Sequence, residues 1–184
     1  MRTEDDPESL TSEQFNAAAY EASPYRTPVI GWAADLEHME VGDLREWYRK
    51  WYAPNNATLV VVGDVDPLEV APEQVASPKP REEPDQRGEK RIRVKAPAKE
   101  PYLIMGYKAS ALGHAEEDWE PYALEMLVSV LDGGASSRFS RELVREARIA
   151  AAAGAGYSPF TRLPGMLLLE GTPAKGHAVA DLEK

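Results

Sequence analysis

The clearest pattern along the chain is an amphipathic stretch between Asp43 and Tyr52. Its large apolar residues recur at spacings of three and four, and charged residues fill the opposite side; the apolar positions are Leu44, Trp47, Tyr48 and Trp51. This spacing places the aromatic side chains on one face, because an α-helix turns once in about 3.6 residues. The pattern predicts a surface helix that docks through its aromatic face.

A short apolar run follows this helix. Pro54 cannot continue the helical hydrogen bonding and Asn55-Asn56 suits a turn, so we expect the chain to reverse before residues 57–62. That run, ATLVVV, is short and rich in β-branched residues, which indicates a strand buried on both faces. Gly63-Asp64 ends the run, and Asp66-Pro67 is typical of the start of another helix.

Residues 77–91, SPKPREEPDQRGEKR, differ in composition from the sequence on both sides. They contain three prolines, nine charged residues and no aliphatic side chain, so they lack the apolar groups that a packed element needs. We expect an exposed linker here. It divides the chain into a first domain at residues 1–76 and a second domain at residues 92–184.

The sequence after the linker alternates between strand and helix patterns. Four segments have strand character, namely residues 92–94, 102–107, 150–157 and 166–171. The alanines of residues 150–157 suit a helix equally well. Two helices are predicted between these strands, one from Trp119 to Leu131 and one from Ser136 or Ser137 to about Arg148. Strands, two helices and further strands are typical of half of an α+β domain.

The composition is that of a folded, acidic chain. It has 184 residues, 43% hydrophobic content and a formal net charge of -10. This charge argues against a nucleic-acid surface, which needs clustered lysine and arginine. No run of about 18 apolar residues is present, so no membrane span is predicted. The absence of cysteine excludes disulfides and leaves the compartment open between bacterial periplasm and cytoplasm.

Two stretches resemble the insulinase/pitrilysin-type zinc metallopeptidases, the inverzincins with an HxxEH site. Residues 24–67 carry PYRxPVIG, DLExM and DLRxWYxxWYxPNNATLVVVGDVDP, and residues 127–157 look like the family segment LGGGxSSRLxxELREKxGLAY. The resemblance implies an α+β fold with two sequential metallopeptidase-type (LuxS/mitochondrial-processing-peptidase-like) domains, joined by the proline-rich linker. Each domain would be incomplete here, residues 1–76 being the C-terminal part of one and residues 92–184 the N-terminal part of the next.

An inverzincin zinc site requires two histidines one helical turn apart, a glutamate beside them as general base and a distant glutamate as third ligand. The chain has three histidines, and no two are four residues apart; they are His38, His114 and His177. Residues 114–117 spell HAEE, but Asp118 stands where the second histidine would be. The resemblance therefore implies zinc in the parent protein, held by residues that precede this chain. We predict no catalytic residue and no metal ligand here.

Three residues are candidates for substrate contact. Arg145, in the motif LVREAR, matches a family arginine that helps to hold substrate, whereas the position of the accompanying family tyrosine falls on Ala152. The alternative for Arg145 is a solvated helix arginine paired with a nearby glutamate. Tyr25 and Arg26 lie in a loop where they either contact substrate or pack the loop.

The resemblance implies part of a zinc-dependent metalloendopeptidase that hydrolyses peptides or unfolded polypeptide segments in a chamber formed by paired halves. This segment would supply scaffold and chamber wall, and its partner would be a second peptidase-like half in a homodimer or heterodimer. The alternative is a non-catalytic family member that acts as an assembly or peptide-presenting subunit. We also expect a middle segment of a longer protein, with a family helix missing or omitted after Val70.

Overall fold

The computed structural model describes residues 5–53, 56–58, 60–64 and 81–184. The chain separates into two units, one made of the residues up to Arg26 and from Glu83 onward, and one between Thr27 and Glu82. Pro54 and Asn55 of the predicted turn lie outside the described residues, as does the predicted helix start at Asp66-Pro67. The described helices are all too short or too polar to cross a membrane.

The first unit is built around a three-stranded antiparallel sheet with the order β1-β3-β2. Its strands are β1 (Leu103–Ala109), β2 (Ala150–Gly156) and β3 (Gly165–Pro173). The central strand β3 pairs Gly171 with Leu103 of β1 and Leu168 with Gly156 of β2. These elements confirm the strands predicted at residues 102–107, 150–157 and 166–171.

The strand predicted at residues 92–94 is wrong. These residues are extended but belong to no strand, and the sheet begins at Leu103. The sequence RIRVK alternates as a strand does, but a strand exists only when a neighbour accepts and donates its backbone hydrogen bonds. Within the described part of the chain, no strand lies alongside this segment.

Helix α1 (Pro7–Ala19) packs against β1. It begins at Pro7 because the Asp6 carboxylate accepts hydrogen bonds from two backbone N–H groups of the first turn, each at 3.3 Å. The Phe15 ring lies over Gly106 of β1, where a Cβ atom would stand 2.5 Å from the ring's Cζ. Glycine at this position therefore allows the helix to approach the sheet closely.

Helix α4 (Glu120–Asp132) packs against β2 and confirms the helix predicted from Trp119 to Leu131. Gly133 is its C-cap. A second apolar face of α4 remains open, with 65% of Trp119 and 65% of Met126 exposed. A short helix α5 (Val179–Leu182) packs against β3.

The second predicted helix of this unit is a π-helix, Phe139–Glu146, which also packs against β2. The π-type hydrogen bonding extends one residue past Glu146, because the Ala147 N–H donates at 2.9 Å to the carbonyl of Glu142, five residues earlier. Arg148 then adopts a left-handed backbone with φ of 55°. The π-helix therefore ends at Glu146, slightly before the predicted end at about Arg148. It stops there because a residue with a left-handed backbone cannot continue a right-handed helix.

The second unit contains the helices α2 (Ala33–Glu37) and α3 (Val41–Trp51). Helix α3 confirms the predicted amphipathic helix, and Asn56 closes its end by donating from Nδ2 to the Trp51 carbonyl at 2.8 Å. Its aromatic face is not docked as predicted, because Trp47 is 56% exposed. Tyr48 instead stacks on Tyr52, with ring centroids 4.3 Å apart.

The buried strand predicted at residues 57–62 is also wrong for the residues that the structure describes. They form no strand, and Val60 and Val62 are 79% and 95% exposed. The described residues of this unit include no strand that could pair with the run. A high β-propensity does not make a strand without a pairing partner, because the backbone polar groups then remain with water.

Candidate functional site

The loop that follows α1 carries two of the candidate residues, Tyr25 and Arg26. It starts at Tyr20, which is only 5% exposed, and closes in a 3₁₀ turn, Pro24–Arg26. Ser23 holds the turn, since its carbonyl accepts from the Arg26 N–H at 3.2 Å and its hydroxyl accepts from the Tyr25 N–H at 3.3 Å. The loop therefore has a defined conformation.

Tyr25 is half-buried and held on two sides. Its ring packs edge-on against Tyr20 with centroids 6.0 Å apart, and its hydroxyl oxygen accepts from the Leu163 N–H at 3.2 Å. Arg26 is exposed, and its guanidinium donates to the Glu21 carbonyl at 2.9 Å. Tyr25 thus packs the loop, while Arg26 keeps donors that face solvent.

Glu83 anchors this loop from a distant part of the sequence. Its carboxylate accepts hydrogen bonds from three successive backbone N–H groups, those of Glu21 and Ala22 at 2.8 Å and of Ser23 at 2.7 Å. Lys108 of β1 donates to the same carboxylate at 2.7 Å. Successive N–H groups form a concave anion site, which here is filled by a side chain of the same chain.

The titration of Glu83 reflects this setting. Its side chain is 12% exposed, and burial alone would raise the pKa of the carboxyl group. The ammonium group of Lys108 and the three backbone N–H groups outweigh burial and lower the pKa of Glu83 to about 2. The buried phenol of Tyr20 responds in the opposite direction, because burial, with the nearby Tyr25 and Glu83, raises its pKa to about 12.

Arg145 lies on the π-helix and is exposed. Among the described residues its neighbouring glutamates pair with Arg141 instead, Glu142 at 2.6 Å and Glu146 at 4.0 Å. Ala152, at the position of the family tyrosine, is opposite Thr172 in the sheet and offers no hydroxyl group. Arg145 is therefore an exposed cation whose predicted glutamate pairing is not seen in the described residues.

Tyr157 does not replace the tyrosine that Ala152 lacks. Its hydroxyl donates to the Ser110 carbonyl, and burial, together with Glu120 and Glu125, raises its pKa. No hydrogen bond or ion pair within the described residues joins Arg145 to Tyr25 or Arg26. Among the described residues, Arg145 is thus not linked by such contacts to Tyr25 or Arg26, the other two residues predicted to contact substrate.

The residues present do not fit a zinc site. The described residues contain no group of three histidine, cysteine, aspartate or glutamate side chains able to hold a metal ion. The ring nitrogens face other partners, with His38 Nδ1 2.7 Å from the Ala34 carbonyl and His114 Nε2 3.0 Å from the Arg162 carbonyl. His177 Nδ1 lies 3.8 Å from the Asp181 carboxylate. A tetrahedral zinc site needs at least three protein ligands, so the chemistry of zinc cannot be assigned to these residues.

Sequence reasoning missed Glu83, which it placed within the linker. The charge and proline content of residues 77–91 are those of an exposed segment, and part of this segment, residues 77–80, lies outside the described residues. The contacts of Glu83 join residues about sixty positions apart. Such contacts leave no periodic signal in the local sequence, so no pattern along the chain could have found them.

The sheet and the helices packed on it form a mixed helix and sheet architecture, and the motifs in residues 24–67 and 127–157 resemble those of zinc metallopeptidases. A protein-family model described as "Peptidase M16 inactive domain" matches residues 38–183. The chain therefore belongs to the Peptidase M16 family. The predicted membership of the insulinase/pitrilysin-type zinc metallopeptidases is confirmed.

Several curated proteins are similar to this chain. Zinc protease PqqE of Helicobacter pylori is 30% identical over 166 residues, which cover 83% of this chain and 36% of that protein. An uncharacterized zinc protease of Mycobacterium leprae is 27% identical over 174 residues, covering 87% and 37%. The chain thus spans little more than a third of the length of these relatives.

A solved structure supports the fold. The crystal structure of a protease from Helicobacter pylori superposes with a TM-score of 0.83 at 25% sequence identity, covering 99% of this chain and 46% of that one. The mixed helix and sheet architecture is therefore one that peptidase relatives adopt.

Proposed function

We propose that this chain is part of a zinc-dependent metalloendopeptidase that hydrolyses peptides or unfolded polypeptide segments. Membership of the Peptidase M16 family, shown by the match of residues 38–183, carries this proposal. The relatives named as zinc proteases support the reaction class. Because the described residues hold no metal cluster, we assign this chain the roles of scaffold and chamber wall, and place zinc binding elsewhere in the parent protein.

The proposed chamber is formed by two peptidase-like halves, in a homodimer or a heterodimer. In this proposal residues 1–76 belong to the first domain, residues 77–91 to the linker and residues 92–184 to the second domain. Arg145 and Arg26 contact substrate, since exposed guanidinium groups suit the carbonyl and carboxylate groups of a peptide. Tyr25 supports the loop that carries Arg26.

The first experiment measures metal and activity together on the full-length natural protein. We expect about one zinc ion per chain by atomic absorption, and hydrolysis of denatured casein that a chelator abolishes. The 184-residue chain by itself is expected to hold no zinc and to cleave nothing. A zinc-loaded full-length protein without hydrolytic activity would contradict the proposal.

A second candidate function is that of a non-catalytic assembly or peptide-presenting subunit. The description of the matched family model as an inactive domain favours it. Ala152 at the tyrosine position is compatible with either function. A full-length protein without zinc that binds casein but never cleaves it would support this alternative over the first.

The contact residues are tested by kinetics in the active full-length protein. Arg145→Ala should raise KM several-fold and leave kcat nearly unchanged, because the arginine contributes binding, and Arg145→Lys should recover part of the affinity. Arg141→Ala is the matched control, since that arginine is engaged by Glu142 at 2.6 Å. Equal effects of the Arg145 and Arg141 substitutions would remove Arg145 from the proposed contacts.

A further inference from the structure

The peptide unit between Glu21 and Ala22 connects the predicted linker to Arg26. Its carbonyl oxygen, that of Glu21, accepts from Arg26 Nη1 at 2.9 Å. Its N–H group, that of Ala22, donates to the Glu83 carboxylate at 2.8 Å. Because a trans peptide is planar, its carbonyl and N–H groups point in opposite directions. The contact with Glu83 therefore fixes the direction of the oxygen that holds the Arg26 guanidinium.

Glu21 is held from the linker by two further contacts. Its own N–H group donates to the Glu83 carboxylate at 2.8 Å, and its side-chain carboxylate accepts from Lys90 Nζ at 2.6 Å. Lys90 Nζ also lies 3.5 Å from the carbonyl of Ala18, in the last turn of α1, where helix carbonyl groups lack partners within the helix. Two residues of the predicted linker thus restrain one residue of the loop.

The linker is itself attached to the sheet beside Glu83. Lys108 of β1 donates at 2.7 Å to the Glu83 carboxylate and at 3.0 Å to the Pro84 carbonyl. The side chains of Glu83 and Lys108 are only 12% and 27% exposed, so water competes little for this pair. The side chains of Lys90 and Glu21 are more exposed, at 38% and 57%. Glu83 should therefore contribute most of the restraint and Lys90 a smaller part.

This restraint bears on how Arg26 binds a ligand. An arginine side chain has many rotamers, and fixing it in one of them costs conformational entropy. A guanidinium that is already held through one N–H group loses less of this entropy on binding. Arg26 has further donors that face solvent, so it can hold the Glu21 carbonyl and a carbonyl or carboxylate group of a peptide at the same time.

We infer that Glu83 and Lys90 are positioning residues, which hold Arg26 through the Glu21–Ala22 peptide in the orientation that binds substrate. The inference rests on the proposed contact between Arg26 and a peptide substrate. It gives the linker a role in substrate affinity, beyond joining the two predicted domains. Glu83 and Lys90 act through Arg26, so their loss should weaken binding and leave the chemical step unchanged.

The first test observes the Arg26 side chain without substrate. In the isotope-labelled 184-residue chain, NMR relaxation of the Arg26 Nε–H group reports its motion on the picosecond to nanosecond timescale. This group should be rigid in the wild type and mobile in Glu83→Gln. Glu183→Gln is the matched control, because that partly buried carboxylate is bonded to Arg91 of the same linker at 2.8 Å, and Arg26 should stay rigid in it. Equal mobility of Arg26 in the wild type and in Glu83→Gln would overturn the inference.

The second test measures KM and kcat in the active full-length protein. Glu83→Gln and Arg26→Ala should each raise KM by about two- to tenfold and leave kcat nearly unchanged. The double variant should have the KM of Arg26→Ala alone, because Glu83 acts through that arginine. Increases in KM that multiply in the double variant would show that Glu83 acts independently of Arg26, and would overturn the inference.

Two other substitutions separate positioning from stability. Gly171→Ala should destabilise the sheet, because its Cβ would stand 3.2 Å from the Ala152 carbonyl oxygen, and should keep the wild-type KM. A KM raised as much in Gly171→Ala as in Glu83→Gln would show that lost stability is the cause. Lys90→Met should raise KM by about twofold, and Lys90→Arg should restore it, since the cation that binds Glu21 is then retained.

Failure of this inference is distinguishable from failure of the proposed function. A wild-type KM in Arg26→Ala would remove the proposed substrate contact, and the positioning role with it. A raised KM in Arg26→Ala together with a wild-type KM in Glu83→Gln would overturn the positioning role alone. If the full-length protein binds casein without cleaving it, the dissociation constant for casein takes the place of KM in the same comparisons.

Discussion

Substitution of Glu83 by glutamine should destabilise the loop that the Glu83 carboxylate anchors. Glu83→Gln keeps the size of the side chain but replaces a carboxylate that accepts from three backbone N–H groups and Lys108. The amide has one acceptor oxygen, and its NH₂ group would face donors. The substitution therefore leaves backbone N–H groups of the loop without partners in a half-buried setting.

The magnitude follows from the pKa of Glu83. A carboxyl group whose pKa falls from 4.5 to about 2 stabilises the folded state by at most about 3 kcal/mol above pH 4.5. Screening by water reduces this value, so we expect Glu83→Gln to lower the free energy of unfolding by about 2 kcal/mol at pH 7.

The pH dependence has a definite sign. The folded-state pKa lies below the unfolded value of 4.5, so the contribution is complete above pH 4.5 and is lost as the pH falls toward about 2. The difference between wild type and Glu83→Gln should therefore shrink to less than half of its pH 7 value by pH 3.

The assay is urea unfolding followed by circular dichroism at pH 7, 5, 4 and 3. Glu89→Gln is the matched control, because that carboxylate is 80% exposed and lies 3.6 Å from Arg91. It should change the free energy of unfolding by less than about 0.5 kcal/mol. If Glu83→Gln were as stable as the control at pH 7, or if its deficit did not depend on pH, the anchoring role would be refuted.

Three further predictions concern packing, backbone strain and the phenol of Tyr20. Gly106→Ala should lower the free energy of unfolding, measured in urea, by about 1–3 kcal/mol, because the new Cβ would stand 2.5 Å from the Phe15 ring. The control Gly156→Ala should lower it little, because no atom lies within 4 Å of that Cβ position. Equal losses of stability in the two variants would contradict this packing. Arg148→Gly should raise the free energy of unfolding by about 0.5–1 kcal/mol, because φ is 55° there, and a lower stability would show that the arginine side chain matters more. The free energy of unfolding should fall between pH 10 and pH 12, because the folded-state pKa of Tyr20 is raised to about 12. Tyr20→Phe should reduce this decline. An unchanged decline in the variant would show that Tyr20 is not its cause.

The sequence predicts best those elements whose apolar spacing is visible within one continuous stretch of residues. Helix α4 and strand β3 are of this kind, and the predicted ends of both lie within two residues of the observed ends. The failures at residues 92–94 and 57–62 have a common cause. Both runs have strand character, but a strand also requires a partner that the local sequence does not specify.

The candidate site was predictable only in part. The motif LVREAR identified Arg145 as a candidate, but its residue spacing did not indicate a π-helix. In a π-helix each hydrogen bond joins residues five positions apart, and in an α-helix four positions apart. The sequence indicated the loop with Tyr25 and Arg26 as a candidate, and their contact with substrate stays a prediction. It gave no indication that Glu83 anchors this loop. Glu83 is separated from the loop along the sequence by the residues of the second unit, so its role depends on the completed fold of the first unit.

The Glu83 contact also bears on how the chain tolerates insertion. It brings residues 21–23 against residue 83, so the intervening polypeptide leaves and rejoins the first unit at neighbouring points. The entropy of closing such an excursion rises only with the logarithm of its length, by about 0.6 kcal/mol for each doubling. Gains or losses of whole helices between residues 27 and 82 should therefore leave the stability of the sheet nearly unchanged. Evolution can lengthen, trim or replace this excursion without rebuilding the domain from which it departs.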